Sequence, residues 1–179
     1  MGSYIVGDSN SVFIELKDFE NLSEPGFRVK DVISKLKILD SGETIIIGVG
    51  VNDAATIKDL QTKNEIRPKL EEFKKDCYNL LRLAKNKFGS VIVLGLISST
   101  EEKVMFGNAE IQYLNKTIQD FNEAIKNLCN DSGVGFVDTL PYFLGKEDEL
   151  LVDHIHPNAK GKEIIKNIEI VISSLSRDL

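Results

Sequence analysis

Imidazole chemistry has one address in this chain. Its only two histidines, His154 and His156, sit in Asp153-His154-Ile155-His156-Pro157-Asn158. Asp153 precedes His156 by three residues, so a tight turn lets the carboxylate reach one ring nitrogen and leaves the other free. A base held that way takes the proton of a hydroxyl nucleophile. The matching hydroxyl is Ser9, in Gly7-Asp8-Ser9-Asn10-Ser11, directly after a β-prone run. A serine at a strand's carboxyl end exposes its hydroxyl and turns its backbone N–H toward incoming negative charge. Two further loops supply donors. Gly26, in Glu24-Pro25-Gly26-Phe27, offers a backbone N–H with no side chain in the way, and Asn52, in Gly48-Val49-Gly50-Val51-Asn52-Asp53, offers an amide. With the Ser9 N–H they would make a three-donor oxyanion hole. Asp8 reads as a partner of nearby backbone, and Asp53 as a structural residue of a turn or of the shell behind the site. His154 reads as a rim residue, a substrate contact or a metal ligand.

These loops do chemistry together only if a fold gathers them. Ser3–Val6 is a short β-prone run, and Glu43–Gly48 contains Thr44-Ile45-Ile46-Ile47, apolar on both faces as a buried parallel strand must be. Ser90–Leu96 and Val134–Val137 read as further strands. Between them runs the helical period. Arg28–Leu39 places Val29, Val32, Ile33, Leu36 and Leu39 on one face. A long helix from about Arg67 carries Leu70, Phe73, Cys77, Leu80, Leu81, Ala84 and Phe88, with Gly89 as its stop. Asn108–Asn130 and Pro157–Ser176 read as two more helices. The alternation predicts an α/β fold with a mainly parallel sheet and helices on both faces. Ligands in such folds bind beyond the carboxyl ends of the strands, where all four polar loops fall. Phe27, Arg28, Met105 and Phe106 read either as pocket lining or as core or surface residues.

In their order the four blocks resemble the SGNH hydrolases, also called GDSL esterases/lipases. The resemblance runs from Gly7 to Asn158. It implies Ser9 as nucleophile, Gly26 and Asn52 as oxyanion donors beside the Ser9 N–H, Asp153 as acid and His156 as base. It also implies a flavodoxin-like three-layer α/β/α sandwich. The sequence departs from the usual pattern in three places: Asn10 follows the Gly-Asp-Ser triplet, the block around Gly26 is loose, and His154 follows the acid where a small or apolar residue is usual.

Composition narrows the rest. At 179 residues, with 42% hydrophobic and 28% charged, the chain has the material for one domain, expected to span residues 1–179. A net charge of −6 argues against nucleic acid as a partner. No apolar run is long enough to insert into a membrane, and the first residues lack a signal-peptide pattern, so the cytoplasm is the expected location. Cys77 and Cys129 fall on apolar helix faces and read as buried free thiols. The Gly-x-Ser-x-Gly elbow is missing, because position 11 is Ser11, and there is no phosphate-binding glycine loop. The expected function is a serine esterase that needs no cofactor or metal. Its expected substrate is a short acyl ester, such as acetyl, on a carbohydrate or similar small molecule. Three rivals use the same residues: an O-acyltransferase, a metal-dependent hydrolase built on His154 and His156, and a non-catalytic binding module.

Overall fold

The isoleucine run read as a buried strand divides its side chains between two apolar layers. Ile45 and Ile47 enter one core cluster and Ile46 the other, as the two-residue period of a strand requires. The computed structural model describes residues 2–57, 63–106, 109–165 and 167. In chain order its elements are β1 (Ser3–Gly7), β2 (Phe19–Asn21), α1 (Val29–Ile38), β3 (Gly42–Gly48), α2 (Val51–Ala54), β4 (Thr56–Ile57), α3 (Lys63–Lys87), β5 (Phe88–Leu94), β6 (Lys103–Phe106), β7 (Ala109–Gln112), α4 (Asn115–Ser132), β8 (Gly135–Val137), α5 (Leu140–Phe143) and α6 (Glu147–Leu150). A further helix, α7, covers residues 159–165.

The main sheet has the order β2-β1-β3-β5-β8, and every neighbouring pair is parallel. α1, α3 and α4 pack Val32, Leu36, Cys77, Leu80, Ile118 and Phe121 onto one face. Phe143, Leu150 and Ile165, from α5, α6 and α7, cover the other. The result is the three-layer α/β/α arrangement with a mainly parallel sheet. The chain reverses its direction of travel across the sheet between β1 and β3. There the loops that follow the two strands part and leave a crevice.

The end of that strand pair is unusually close. Gly7 pairs with Gly48. A Cβ on either residue would overlap the Ser11 hydroxyl. With both side chains absent, Ser11 tucks in and donates to the Gly48 carbonyl at 2.9 Å. The chain after Ser9 is thereby folded back against the strand ends.

Three boundaries differ from the sequence reading. The helix expected over Asn108–Asn130 starts at Asn115, because Ala109–Gln112 is strand β7. It pairs antiparallel with β6, Phe106 opposite Ala109, and with β4. The two short runs flank Gly107-Asn108, a two-residue hairpin signal, and local pairing there prevails over the weaker helical stripe. Ile111 still packs on the core, but from a strand. Gly89 does not close a helix. α3 runs directly into β5, and Phe88 at the junction packs edge-to-face on Tyr4 with ring centroids 5.9 Å apart. The last helix is capped by Asn158, whose Oδ1 accepts the N–H groups of Lys160 (2.9 Å) and Gly161 (3.1 Å). Pro157 therefore lies outside the helix and bridges to Leu151. Ile164 and Ile165 pack inward as expected, while Ile168, Val171, Ile172 and Leu175 lie outside the described residues.

Cys77 and Cys129 are free and buried. Burial pushes both thiols up, Cys129 to about 12, so neither ionises to a nucleophile at neutral pH. No helix among the described residues is long and apolar enough to cross a membrane.

Candidate active site

One turn holds a carboxylate and an imidazole together. Asp153 Oδ1 accepts the backbone N–H groups of Ile155 (3.0 Å) and His156 (2.8 Å), which closes the turn. Its other oxygen lies 2.7 Å from His156 Nδ1. An Nδ1–H donated there leaves Nε2 as an acceptor, and Ser9 Oγ stands 2.9 Å from it. Burial pushes the Asp153 carboxyl up, but the Ile155 amide and the ring and amide of His156 outweigh it. The net effect holds the group below the usual carboxylate range, so it stays charged beside the ring. Backbone bonds from Thr100 N–H to His154 O (3.0 Å) and from Val152 N–H to His156 O (2.9 Å) fix the segment to its surroundings.

The loop carrying Ser9 is pinned from several sides. Asp8 N–H donates to Gly48 O at 2.9 Å and Ser11 N–H to Asp8 O at 3.0 Å. Asn10 N–H donates to Asp8 Oδ1 at 2.9 Å. Asn21, at the end of β2, donates its Nδ2 to Ser11 O (2.9 Å) and Ile14 O (3.0 Å). Asp8 borders a small cavity of about 30 Å³ walled by Ile14, Val49, Val51, Leu94 and Leu96. Burial there pushes its carboxyl up to about 7, opposed by the Asn10 N–H and assisted by the charge of Asp53.

Gly26 has φ +85°, and a Cβ on it would meet nothing within 4 Å. The left-handed backbone, rather than crowding, is what calls for glycine there. Asn52 lies on α2. Its Nδ2 donates to Phe27 O at 3.1 Å, its second amide hydrogen has no partner among the described residues, and its Oδ1 accepts from the Tyr113 hydroxyl at 3.3 Å. The next residue, Asp53, accepts the Val29 N–H at 3.2 Å. Burial pushes the Asp53 carboxyl up to about 6 against the pull of that N–H and of Arg28 and Lys69. Two adjacent side chains of α2 thus clamp the Phe27–Val29 stretch that follows Gly26.

Ser9, Gly26, Asn52, Asp153 and His156 all border one pocket of about 180 Å³. Such a line of hydroxyl, imidazole and carboxylate can deliver an alkoxide to a carbonyl, with N–H donors close by. A family model described as GDSL-like lipase/acylhydrolase matches residues 15–164. The chain belongs to the GDSL-like lipase/acylhydrolase family. It is an ester hydrolase of that family. The match takes in Gly26, Asn52, Asp153 and His156 and begins six residues after Ser9. No curated protein matches the chain at a significant level.

Solved structures share the GDSL-like enzyme's fold at low identity. Axe2, an acetylxylan esterase from Geobacillus stearothermophilus, superposes with a TM-score of 0.65 at 15% identity, covering 92% of this chain and 90% of that one. A G-D-S-L family lipolytic protein from Veillonella parvula gives 0.66 at 19% identity, with coverages of 91% and 92%. An α/β hydrolase enzyme from the Lake Arreo metagenome gives 0.65 at 15%, with coverages of 95% and 93%.

In this GDSL-like hydrolase the two histidines do not converge. His154 Nδ1 lies 3.3 Å from Thr100 Oγ1 and 3.5 Å from Glu102 Oε2, while both ring nitrogens of His156 are engaged by Asp153 and Ser9. Among the described residues no group of three His, Cys, Asp or Glu could hold a metal ion. Pro25, Tyr113 and Ile155 line the pocket, with His154. Phe27 packs on the core, and Arg28 lines a separate charged groove with Asp53 and Lys69. Met105 is exposed on β6, and the side chain of Phe106 lies outside the described residues. Tyr113 escaped the sequence reading because its segment was read as a helix; the Gly107-Asn108 hairpin signal would have placed it at a strand end.

Proposed function

We propose that this esterase uses a Ser9–His156–Asp153 triad to cleave short acyl esters, acetyl above all, from a carbohydrate or similarly small alcohol. The observation that carries the reading is the unbroken line from Ser9 Oγ to His156 Nε2 (2.9 Å) and from His156 Nδ1 to Asp153 (2.7 Å). Ser9 Oγ attacks the ester carbonyl while its proton passes to Nε2. The ionised Asp153 stabilises the imidazolium that forms. The N–H groups of Ser9 and Gly26 and the second amide hydrogen of Asn52 receive the oxyanion. Collapse breaks the bond to the leaving alcohol, which departs with the Nε2 proton. Water then gives a proton to Nε2 and attacks acyl-Ser9; collapse breaks the acyl–Oγ bond, the Nε2 proton returns to Ser9 Oγ and the acid leaves.

A pocket of about 180 Å³ equals the volume of roughly six waters, which suits a small acyl group with part of its alcohol. Axe2 is an acetylxylan esterase, and its serine-to-alanine and histidine-to-alanine forms are catalytic mutants. This supports the same pairing of groups here. Two free buried thiols suit a reducing compartment, the cytoplasm, and a net charge of −6 disfavours polyanionic partners.

The test is labelling with a serine-directed fluorophosphonate, read by peptide mass. The adduct should sit on Ser9 and vanish in Ser9→Ala. An unlabelled Ser9 in an active enzyme would overturn the triad. A p-nitrophenyl ester series should peak at acetyl or propionyl, and a preference for long acyl chains would overturn the substrate reading. With a sugar acceptor present, the acyl group should still go to water; transfer to the sugar would make the enzyme an acyltransferase.

A further inference from the structure

We propose that Tyr113 is a positioning residue that holds and polarises the Asn52 side-chain amide, through the hydroxyl it places 3.3 Å from Asn52 Oδ1. The inference rests on the reading of Asn52 as an oxyanion donor. The two ends of a carboxamide have almost the same shape and opposite chemistry. Turned one way, Asn52 presents an N–H to the developing negative charge. Turned the other way, it presents a carbonyl oxygen and repels that charge. An oxyanion hole made from asparagine therefore needs something that decides the rotation before substrate arrives.

The Phe27 carbonyl, which can only accept, decides it here, and the Tyr113 hydroxyl holds the other end of the amide. Phe27 O takes one Nδ2 hydrogen at 3.1 Å, and the Tyr113 hydroxyl donates to Oδ1. Flipping the amide would set Oδ1 against the Phe27 carbonyl and replace the phenol's donation to Oδ1 with a bond it accepts from Nδ2. With both contacts made, the remaining Nδ2–H is held in place and its donor strength is raised by the polarised carbonyl. The phenol is suited to this task. Tyr113 is 5% exposed. Burial, reinforced by the charge of Asp8, pushes its ionisation above the ordinary tyrosine value, so the hydroxyl keeps its proton at neutral pH.

Tyr113 is itself held by a frame outside the acid–base line. Its carbonyl accepts the Ser99 hydroxyl at 2.6 Å. The Asn115 side chain brackets Ser99, accepting its N–H at 2.8 Å and donating to its carbonyl at 2.9 Å. The junction of β7 and α4 is thus bolted to the loop after β5, and the Tyr113 ring is presented to the pocket that Pro25 and Ile155 also line. The hairpin absent from the sequence reading is the element that delivers this hydroxyl.

The test is a double-mutant cycle on purified enzyme with p-nitrophenyl acetate. Tyr113→Phe keeps the ring and removes only the hydroxyl. It should lower kcat about five- to tenfold, the scale of one neutral hydrogen bond, with KM changed less than about twofold and the melting temperature little moved. In an Asn52→Ala background the same change should have no further effect on kcat. Wild-type kcat in Tyr113→Phe beside a slow Asn52→Ala enzyme overturns the role given to Tyr113 alone. So does an equal loss from Tyr113→Phe in both backgrounds, which a purely structural role would produce. Wild-type kcat in Asn52→Ala overturns the oxyanion reading on which the inference rests.

Discussion

Replacing Asp8 with Asn should stabilise the protein at alkaline pH and leave it almost unchanged near pH 4. Asp8 is 3% exposed, against a small apolar cavity. Burial is the main reason its carboxyl is pushed from 3.8 to about 7. About three pH units at 1.36 kcal/mol each come to roughly 4 kcal/mol. The sign follows from proton binding. Folded Asp8 holds its proton more tightly than unfolded Asp8, so its contribution to stability is full below about 3.8, shrinks as pH rises, and is gone above about 7. Asn is neutral at every pH, and its side-chain oxygen can still accept the Asn10 N–H. The variant therefore escapes the decline. For a chain of this length each kcal/mol moves the melting temperature by about 2–4 °C. The two proteins should melt together at pH 4 and stand about 10 °C apart at pH 8, the variant higher. Asp53, pushed up to about 6 by burial, is charged at pH 8 and repels ionised Asp8, so the gap at pH 8 contains that repulsion as well as the burial of Asp8. Differential scanning calorimetry at pH 4, 6 and 8 is the measurement. Parallel curves, or a variant that melts lower at pH 8, would refute the argument that Asp8 is held protonated by burial.

Other perturbations separate the roles of neighbouring groups. Asp153→Asn can keep the turn through its oxygen while pointing an N–H at His156 Nδ1. That forces the proton onto Nε2, so kcat should fall on the order of 10³- to 10⁴-fold with little change in melting temperature; activity within tenfold of wild type would contradict it. Asn52→Ala should lower kcat by about a hundredfold or more, measured with p-nitrophenyl acetate. Gly48→Ala drives a Cβ into the Ser11 hydroxyl and should lower the melting temperature and the activity together. Adding Ser11→Ala should restore much of both, because the overlap is with Ser11 Oγ, and a double variant no better than the single would disprove that cause.

The contact between Asp153 and His156 was legible because it is local: the two lie within one turn, and three-residue spacing is enough to infer it. That Ser9 and Asn52 share one edge of the sheet was legible because each lies in a loop or turn shortly after a strongly β-prone run, and the fold class says where strand ends go. Lateral placement was harder. Phe27 read equally as pocket lining or core; its ring turns to the core, and what it lends the site is its carbonyl, to Asn52. No residue-type argument finds a backbone acceptor. Tyr113 was hidden because Ile111, Ile118 and Phe121 continue a helical stripe across a segment where strand pairing takes over. Pro157 and Asn158 both signal a helix start. Asn158 prevails because its side chain satisfies two amides that would otherwise be left open.

The unequal chain separations within the Ser9–His156–Asp153 line bear on the order in which the protein becomes active. Asp153 and His156 are 3 residues apart, whereas His156 and Ser9 are 147 apart. The first contact is a local event that any stretch containing the turn can make in isolation. The second is a long loop closure, entropically costly, and it requires β1 seated beside β3 and the segment before α7 docked on the far layer. Lys162 over the Phe13 ring, 4.0 Å from its centroid, helps draw α7 to the loop that follows Ser9. During refolding, ester turnover should therefore return later than secondary structure. Enzyme activity then serves as a clock for the final docking step, a step that spectroscopic probes of the sheet would miss.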